Sequence, residues 1–175
     1  MKLFIAGPCG VGKSTVAKSL ANRANIAYLD FDDIGLLDMQ KRKGHVSPFS
    51  ASRLDLMLSM PIILTTTCTD YILDMGGDTV FRKTADNNER LEQVLWVKKT
   101  YTPHIIVLTA IKDILLTRYT SAKVRIINEF DDIWENWLCI AEPYWQKCWD
   151  IVIDTSFLTV DETIGQIESH LNRST

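Results

Sequence analysis

The chain predicts an α/β fold, a three-layer sandwich in which helices cover both faces of a parallel β-sheet. Three observations carry this expectation. Apolar runs at 3–6, 26–30, 71–74, 104–109 and 150–155 alternate with stretches whose apolar residues recur at helical spacing. Between the first run and the first helical stretch stands a glycine-rich loop, Gly7-Pro8-Cys9-Gly10-Val11-Gly12-Lys13-Ser14, of the form G-x-x-x-x-G-K-[ST]. The length of 175 residues, 46% of them hydrophobic, suits one full core and is too short for two ordinary domains. Residues 1–175 are therefore expected to form a single domain.

The loop has a mechanism. Its glycines permit dihedrals that turn successive backbone N–H groups inward around phosphates. The helix behind it, opened by Thr15 and carrying Val16, Leu20 and Ala24 on one face, adds its positive N-terminal end. Lys13 is placed to reach the terminal phosphates as a point charge, and the Ser14 hydroxyl to ligate the magnesium bridging them. The stretch Gly7 to Thr15 is thus read as a site for a nucleotide with its magnesium.

Other features narrow the class. A net charge of −3 gives no general attraction to nucleic acid or to anionic membranes, so any basic site must be local. Cys9, Cys68, Cys139 and Cys148 form no C-x-x-C pair, and His45, His104 and His170 are far apart, so no zinc pattern is legible. The apolar run after Met1-Lys2 is too brief for a secretion signal, and no segment is apolar enough to span a bilayer. A reducing cytoplasm is expected, with no nucleic-acid or membrane partner.

Along the chain, the second strand ends in Asp30, with Asp32 and Asp33 close behind. In open α/β sheets ligands bind outside the carboxyl ends of the strands. Asp30 and Asp32 are expected there, one holding magnesium or its water and the other accepting a proton from an incoming hydroxyl. The alternative is that Asp32 or Asp33 caps a helix beginning near Ile34. The basic stretch from Met39 to Arg53 is either a solvated face or the lining of an acceptor pocket, with Arg53 its best candidate. Residues 60–69 stay open between helix end, strand and loop. Asp74 ends the third strand, where an acid can hold magnesium from the opposite side, and Gly76 and Gly77 permit close backbone approach. An ordinary strand-to-helix turn is the alternative.

A helix carrying Leu91, Val94, Leu95 and Lys98 follows, then the fourth strand and a helix over 113–119. The basic segment ending Lys123-Val124-Arg125 reads either as a solvent-facing turn or as a lid, near 119–127, that sets Arg125 against developing charge. Trp134, Trp137, Trp145 and Trp149 follow a helical stripe, which points to core packing, with Pro143 positioned to kink the helix. A last strand and an amphipathic helix over 160–171 complete the chain.

These residues resemble the shikimate kinases over nearly the whole length. The likeness is carried by the glycine loop, Asp30-Phe31-Asp32, Gly76-Gly77, Lys123-Val124-Arg125, and the tail from Pro143 through Asp154-Thr155. It implies a P-loop NTPase fold of the nucleoside-monophosphate-kinase kind, with a five-stranded parallel sheet in the order 2-3-1-4-5. It also implies magnesium-dependent phosphoryl transfer from ATP to a small hydroxylated acceptor, by a monomer or weak homodimer. By that resemblance Lys13, Asp32 and Arg125 are catalytic, and Asp30 helps bind magnesium. Asp154 and Thr155 lie near the adenine, Asp32, Gly76 and Gly77 face the acceptor, and Arg53 joins them if the alignment admits a gap after Phe49.

The chain departs from the family at the acceptor side. Three consecutive glycines become Gly76-Gly77-Asp78, an arginine two residues before the proline becomes Ala141, and Phe49 is followed by Ser50 instead of arginine. Alanine cannot supply the bidentate bonds that arginine gives a carboxylate, so an acceptor other than shikimate is expected. Two other readings stand beside this one: a nucleotide-binding ATPase or switch without a small acceptor, and a nucleoside or nucleotide kinase. The chain lacks the N-K-x-D motif that reads a guanine base in GTPase switches.

Overall fold

The computed structural model describes residues 1–31, 70–75, 80–83, 85–122 and 127–173. In chain order the described elements are β1 (Lys2–Ala6), α1 (Lys13–Ala24), β2 (Ala27–Asp30), β3 (Tyr71–Asp74), α2 (Asn87–Tyr101), β4 (His104–Thr109), α3 (Lys112–Ala122) and α4 (Ile127–Asn136). A π-helix (Trp137–Ala141), α5 (Glu142–Trp145), β5 (Ile151–Asp154) and α6 (Val160–Arg173) follow. The strands form one sheet in the order β2-β3-β1-β4-β5, and every neighbouring pair is parallel. This is the fold class and strand order expected above.

Side chains alternate across a strand, so each strand feeds two cores. Phe4, Tyr71, Leu73, Ile105 and Val107 point to one face, where Val94, Val97, Trp137, Ala141 and Trp145 cover them. Leu3, Ile5, Ile72, Ile106, Leu108 and Ile153 point to the other, beneath Val16 and Leu20 of α1, Leu115 of α3, and Ile164 and Ile167 of α6. With both faces covered, the central strands need apolar residues at nearly every position, which is why they read as unbroken apolar runs. The helical stretches of 113–119 and 160–171 extend a few residues beyond the expected limits, as helix ends commonly do.

The tryptophan stripe is core, as its spacing predicts. Trp137 and Trp145 are buried, while Trp134 and Trp149 pack at the margins of the clusters. The irregularity predicted at Pro143 takes the form of a π-helix directly before it, with the Glu142 N–H donating to the Trp137 carbonyl. Proline has no N–H to continue the ladder and its ring crowds the carbonyl four residues back, so one wider turn relieves the clash. Among the described residues no helix is long and apolar enough to cross a membrane.

Candidate functional site

All five strands run the same way, so their carboxyl ends share one edge of the sheet. β1 lies between β3 and β4, and the chain order reverses around it, which is where open α/β sheets form their ligand crevice. The loop Gly7–Gly12 leaves β1 at that point. Gly7, Gly10 and Gly12 all take positive φ, at 145°, 83° and 97°. A Cβ on Gly7 would stand 2.3 Å from the Leu108 carbonyl oxygen, so the first glycine is required for the loop to pass β4 at all. A Cβ on Gly12 meets nothing within 4 Å and projects into open space.

The start of α1 differs from those of α2 and α6. Asp86 caps α2 by accepting from the N–H groups of Asn88 and Glu89. Thr159 and Glu162 close a reciprocal capping box on α6. Before α1 stands Gly12 in a left-handed conformation, with no side-chain cap. A helix N-terminus carries unsatisfied N–H groups and partial positive charge, so the uncapped start of α1 is free to hold an anion. Lys13 is buried, its Nζ folded 3.0 Å from the Pro8 carbonyl oxygen, which holds the cation against the loop. Ser14 and Thr15, on the first turn, are exposed.

Two carboxylates face this loop. The register pairs Asp30 directly with Asp74 at the ends of β2 and β3. Asp74 is 4% exposed, and its Oδ1 has no hydrogen-bond partner. Burial raises the Asp74 carboxyl above its ordinary value; the Ser14 hydroxyl, the Lys13 cation and the Tyr28 hydroxyl pull it down, while Asp30 adds to the rise. A buried, orphaned carboxylate oxygen beside a serine hydroxyl and a lysine lacks one partner, and a cation fits that need. Magnesium is characteristically held by one or two carboxylates together with substrate phosphates, so Asp74, Asp30 and Ser14 suit a magnesium nucleotide.

On the other side of the loop a cleft of about 250 Å³ is lined by Val11, Gly12, Thr15, Arg118, Thr155 and Leu158, among others. Thr155, just beyond β5, is buried, and its Oγ1 lies 3.1 Å from the Thr109 carbonyl oxygen and 3.4 Å from that of Val11. Arg118 of α3 forks onto the same residue, Nη1 reaching Oγ1 at 3.1 Å and Nη2 the carbonyl at 2.7 Å. Asp154 turns away to accept from the N–H and hydroxyl of Ser156, bonds that hold its carboxyl below the usual range. The β5 turn is thereby tied to the glycine loop and to α3.

Of the residues expected at the site, the structure brings together Gly7 through Thr15, Asp30, Asp74 and Thr155, with Asp154 beside Thr155 but bonded to Ser156. Asp32, Arg53, Gly76, Gly77, Asp78, Lys123 and Arg125 lie outside the described residues. Of the expected lid over 119–127, Tyr119 is helical and buried against Phe130 in the core. Ala141 is 1% exposed within the apolar cluster that includes Trp137 and Trp145.

Two residues escaped the sequence reading. Arg118 gave no signal beyond being a cation on an otherwise apolar helix face. Tyr28 stands two residues before Asp30, on the same face of β2, and its hydroxyl lies 3.1 Å from Asp30 Oδ2 and 3.2 Å from Asp74 Oδ2. Burial and the two acids push its phenol well above the ordinary value of 10.0, so it remains a donor. The Y-x-D spacing on a strand was the only available cue.

Comparison with known proteins places the fold. The family model described as "ATPase family associated with various cellular activities (AAA)" matches residues 3–138, from β1 into the π-helix. A shikimate kinase from Francisella tularensis subsp. holarctica is 22% identical over 196 aligned residues, covering 99% of this chain and 96% of the relative. Among solved structures, the shikimate kinase from Acinetobacter baumannii in complex with shikimate superposes with a TM-score of 0.68 at 20% identity, over 99% of this chain and 93% of that one. A gluconokinase from Sinorhizobium meliloti gives a TM-score of 0.59 at 10% identity, over 98% and 92% of the two chains. These likenesses show a P-loop kinase fold. The chain belongs to the ATPase family associated with various cellular activities, as a P-loop protein whose likeness along its full length is to the shikimate kinases.

Proposed function

We propose that the protein is a phosphotransferase that moves the γ-phosphoryl group of Mg-ATP to a hydroxyl of a small molecule. The observation that carries this reading is the convergence, on the uncapped start of α1, of Lys13, Ser14 and the orphaned carboxylate of Asp74. Bound Mg-ATP supplies the phosphoryl group, and transfer to a hydroxyl yields ADP and one proton. The protein's part is positioning and charge compensation. The loop N–H groups and the α1 N-terminus hold the phosphates, Lys13 adds a cation beside them, and Ser14, Asp30 and Asp74 hold the metal. Arg118 and Thr155, with Asp154 beside them, frame the cleft where the base is placed. Asp32 as proton acceptor, Arg125 as the lid cation, and Arg53, Gly76 and Gly77 toward the acceptor rest on the family resemblance.

The acceptor is proposed to differ from shikimate. Ala141 is sealed in apolar packing and offers no cation to a carboxylate. Its neighbour Glu142 is an acid whose carboxyl burial pushes above the usual range. The family match favours one rival, an ATPase without a small acceptor.

A single assay separates the readings: ADP formation from Mg-ATP across hydroxy acids, sugars, polyols and nucleosides, with shikimate and gluconate included and Lys13→Ala as the control. The proposal expects acceptor-dependent ADP formation with one chemical class, falling by about 10²–10³-fold in Lys13→Ala. Steady ATP hydrolysis that no acceptor accelerates would favour the ATPase. Transfer confined to nucleosides or nucleotides would favour the third reading, and full turnover in Lys13→Ala would remove the site altogether.

A further inference from the structure

The acidic pair at the ends of β2 and β3 is held by a residue that no motif names. Tyr28 places one hydroxyl oxygen within 3.2 Å of both Asp30 Oδ2 and Asp74 Oδ2. We propose that Tyr28 is a positioning residue for the divalent cation, its hydroxyl tying the two carboxylates together so that both can grip one metal nucleotide. The proposal rests on the phosphotransferase reading but makes a separate claim about this chain's own residues.

Three features support it. Parallel pairing sets Tyr28 beside Ile72 and Asp30 beside Asp74. A period of two then keeps Tyr28 and Asp30 on one face of β2, and Ile72 packs in the cluster formed with α1. Phenol and carboxylates are thus brought to one side of the sheet by backbone register alone, beneath the helix that carries Lys13 and Ser14.

The ring is also held from above. Lys18 Nζ lies 5.1 Å from its centroid, one helical turn beyond Ser14. Finally, like charges on directly opposed strand positions repel, and a phenol has a single proton to share between them. The tie therefore aligns the carboxylates without neutralising them, and Asp74 Oδ1 is left with no donor. Two aligned carboxylates, one of them with an oxygen that has no donor, are a site for a cation that arrives with its own phosphates.

Tyr28→Phe keeps the ring under Lys18 and removes the tie alone. Mn2+ binding to the ADP complex is read from the electron paramagnetic resonance signal of free Mn2+, and ADP affinity in EDTA by calorimetry. The thermal midpoint of each variant is recorded to show that it is folded. Partners that orient metal ligands are typically worth 10–100-fold in metal affinity, so Tyr28→Phe is expected to bind Mn2+ about tenfold more weakly while ADP affinity in EDTA is unchanged. In an Asp74→Asn background the same change is expected to cost nothing further, because the tie acts through that carboxylate.

Wild-type Mn2+ affinity in Tyr28→Phe would overturn the inference and leave the phosphotransferase reading standing. An equal loss of metal-free ADP affinity would also overturn it, by showing that Tyr28 acts through packing. Failure of the wild-type protein to hold Mn2+ with ADP would instead remove the reading on which the inference rests.

Discussion

The glycine loop offers a pair of substitutions that separate folding from binding. Gly7→Ala adds a methyl group 2.3 Å from the Leu108 carbonyl oxygen and 3.1 Å from Val11 Cγ1, on a backbone whose φ is +145°. An ordinary contact needs about 1 Å more room, and neither neighbour yields easily, because Leu108 is held in the ladder between β4 and β5 and Val11 is buried in the core. A non-glycine residue in a sparsely populated backbone region costs about 1–3 kcal/mol, and forcing an extra methyl into packed surroundings costs about the same again. The total of roughly 4 kcal/mol is a large share of the 5–15 kcal/mol that typically holds a domain together. At about 2–4 °C per kcal/mol for a chain of this size, the melting midpoint should fall by about 8–16 °C.

Gly12→Ala meets no atom within 4 Å, so only its positive φ of 97° is penalised. That strain is worth about 1–2 kcal/mol, and the midpoint should fall by roughly 2–8 °C. Its methyl group enters the cleft shared with Thr15, Arg118 and Thr155, so ADP binding should be lost in a protein that still folds. Scanning fluorimetry with calorimetric ADP titration checks both. The reasoning is refuted if Gly7→Ala melts with the wild type, or if Gly12→Ala binds ADP with wild-type affinity.

Two further outcomes follow from perturbed groups. Burial raises the Asp74 carboxyl above 3.8, so in the metal-free protein the folded state binds the more protons and stability falls as pH rises from that value through the raised one. Urea unfolding across that window should show Asp74→Asn gaining on the wild type as pH rises, while its Mn2+ binding with ADP is weakened about tenfold but still measurable; a pH-independent difference would contradict the burial argument. Cys148, its thiol pushed up to about 12 by burial, should resist iodoacetamide in the folded protein at pH 8, whereas exposed Cys139 is alkylated. Peptide mass mapping decides this, and equal labelling of the two thiols would show that the cluster around Trp145 opens readily.

The amino-acid sequence by itself determined the features that depend on neighbours along the chain. Gly7 to Ser14 announce a phosphate loop because loop geometry and helix start are local properties, written in adjacent residues. The strands are legible because burial on both faces demands continuous apolar runs, and Asp30 and Asp74 because each closes such a run. The acceptor side stayed open, since Arg53 and Ala141 have meaning only against the family pattern, and a cation's role depends on what it faces.

Tertiary structure alone decided the contacts between strands and helices far apart in sequence. The bond from Tyr28 to Asp74 crosses 46 positions, and the fork of Arg118 onto Thr155 crosses 37. Neither residue has a propensity or spacing that reveals its partner. Only parallel register brings Asp30 beside Asp74, with Tyr28 reaching up to both, and only the docking of α3 beside β5 sets Arg118 on its turn. The π-helix lies between these cases: Pro143 predicts a break, but the packing of Trp137 and Trp145 selects a wider turn over a kink, because both rings must stay in the same core.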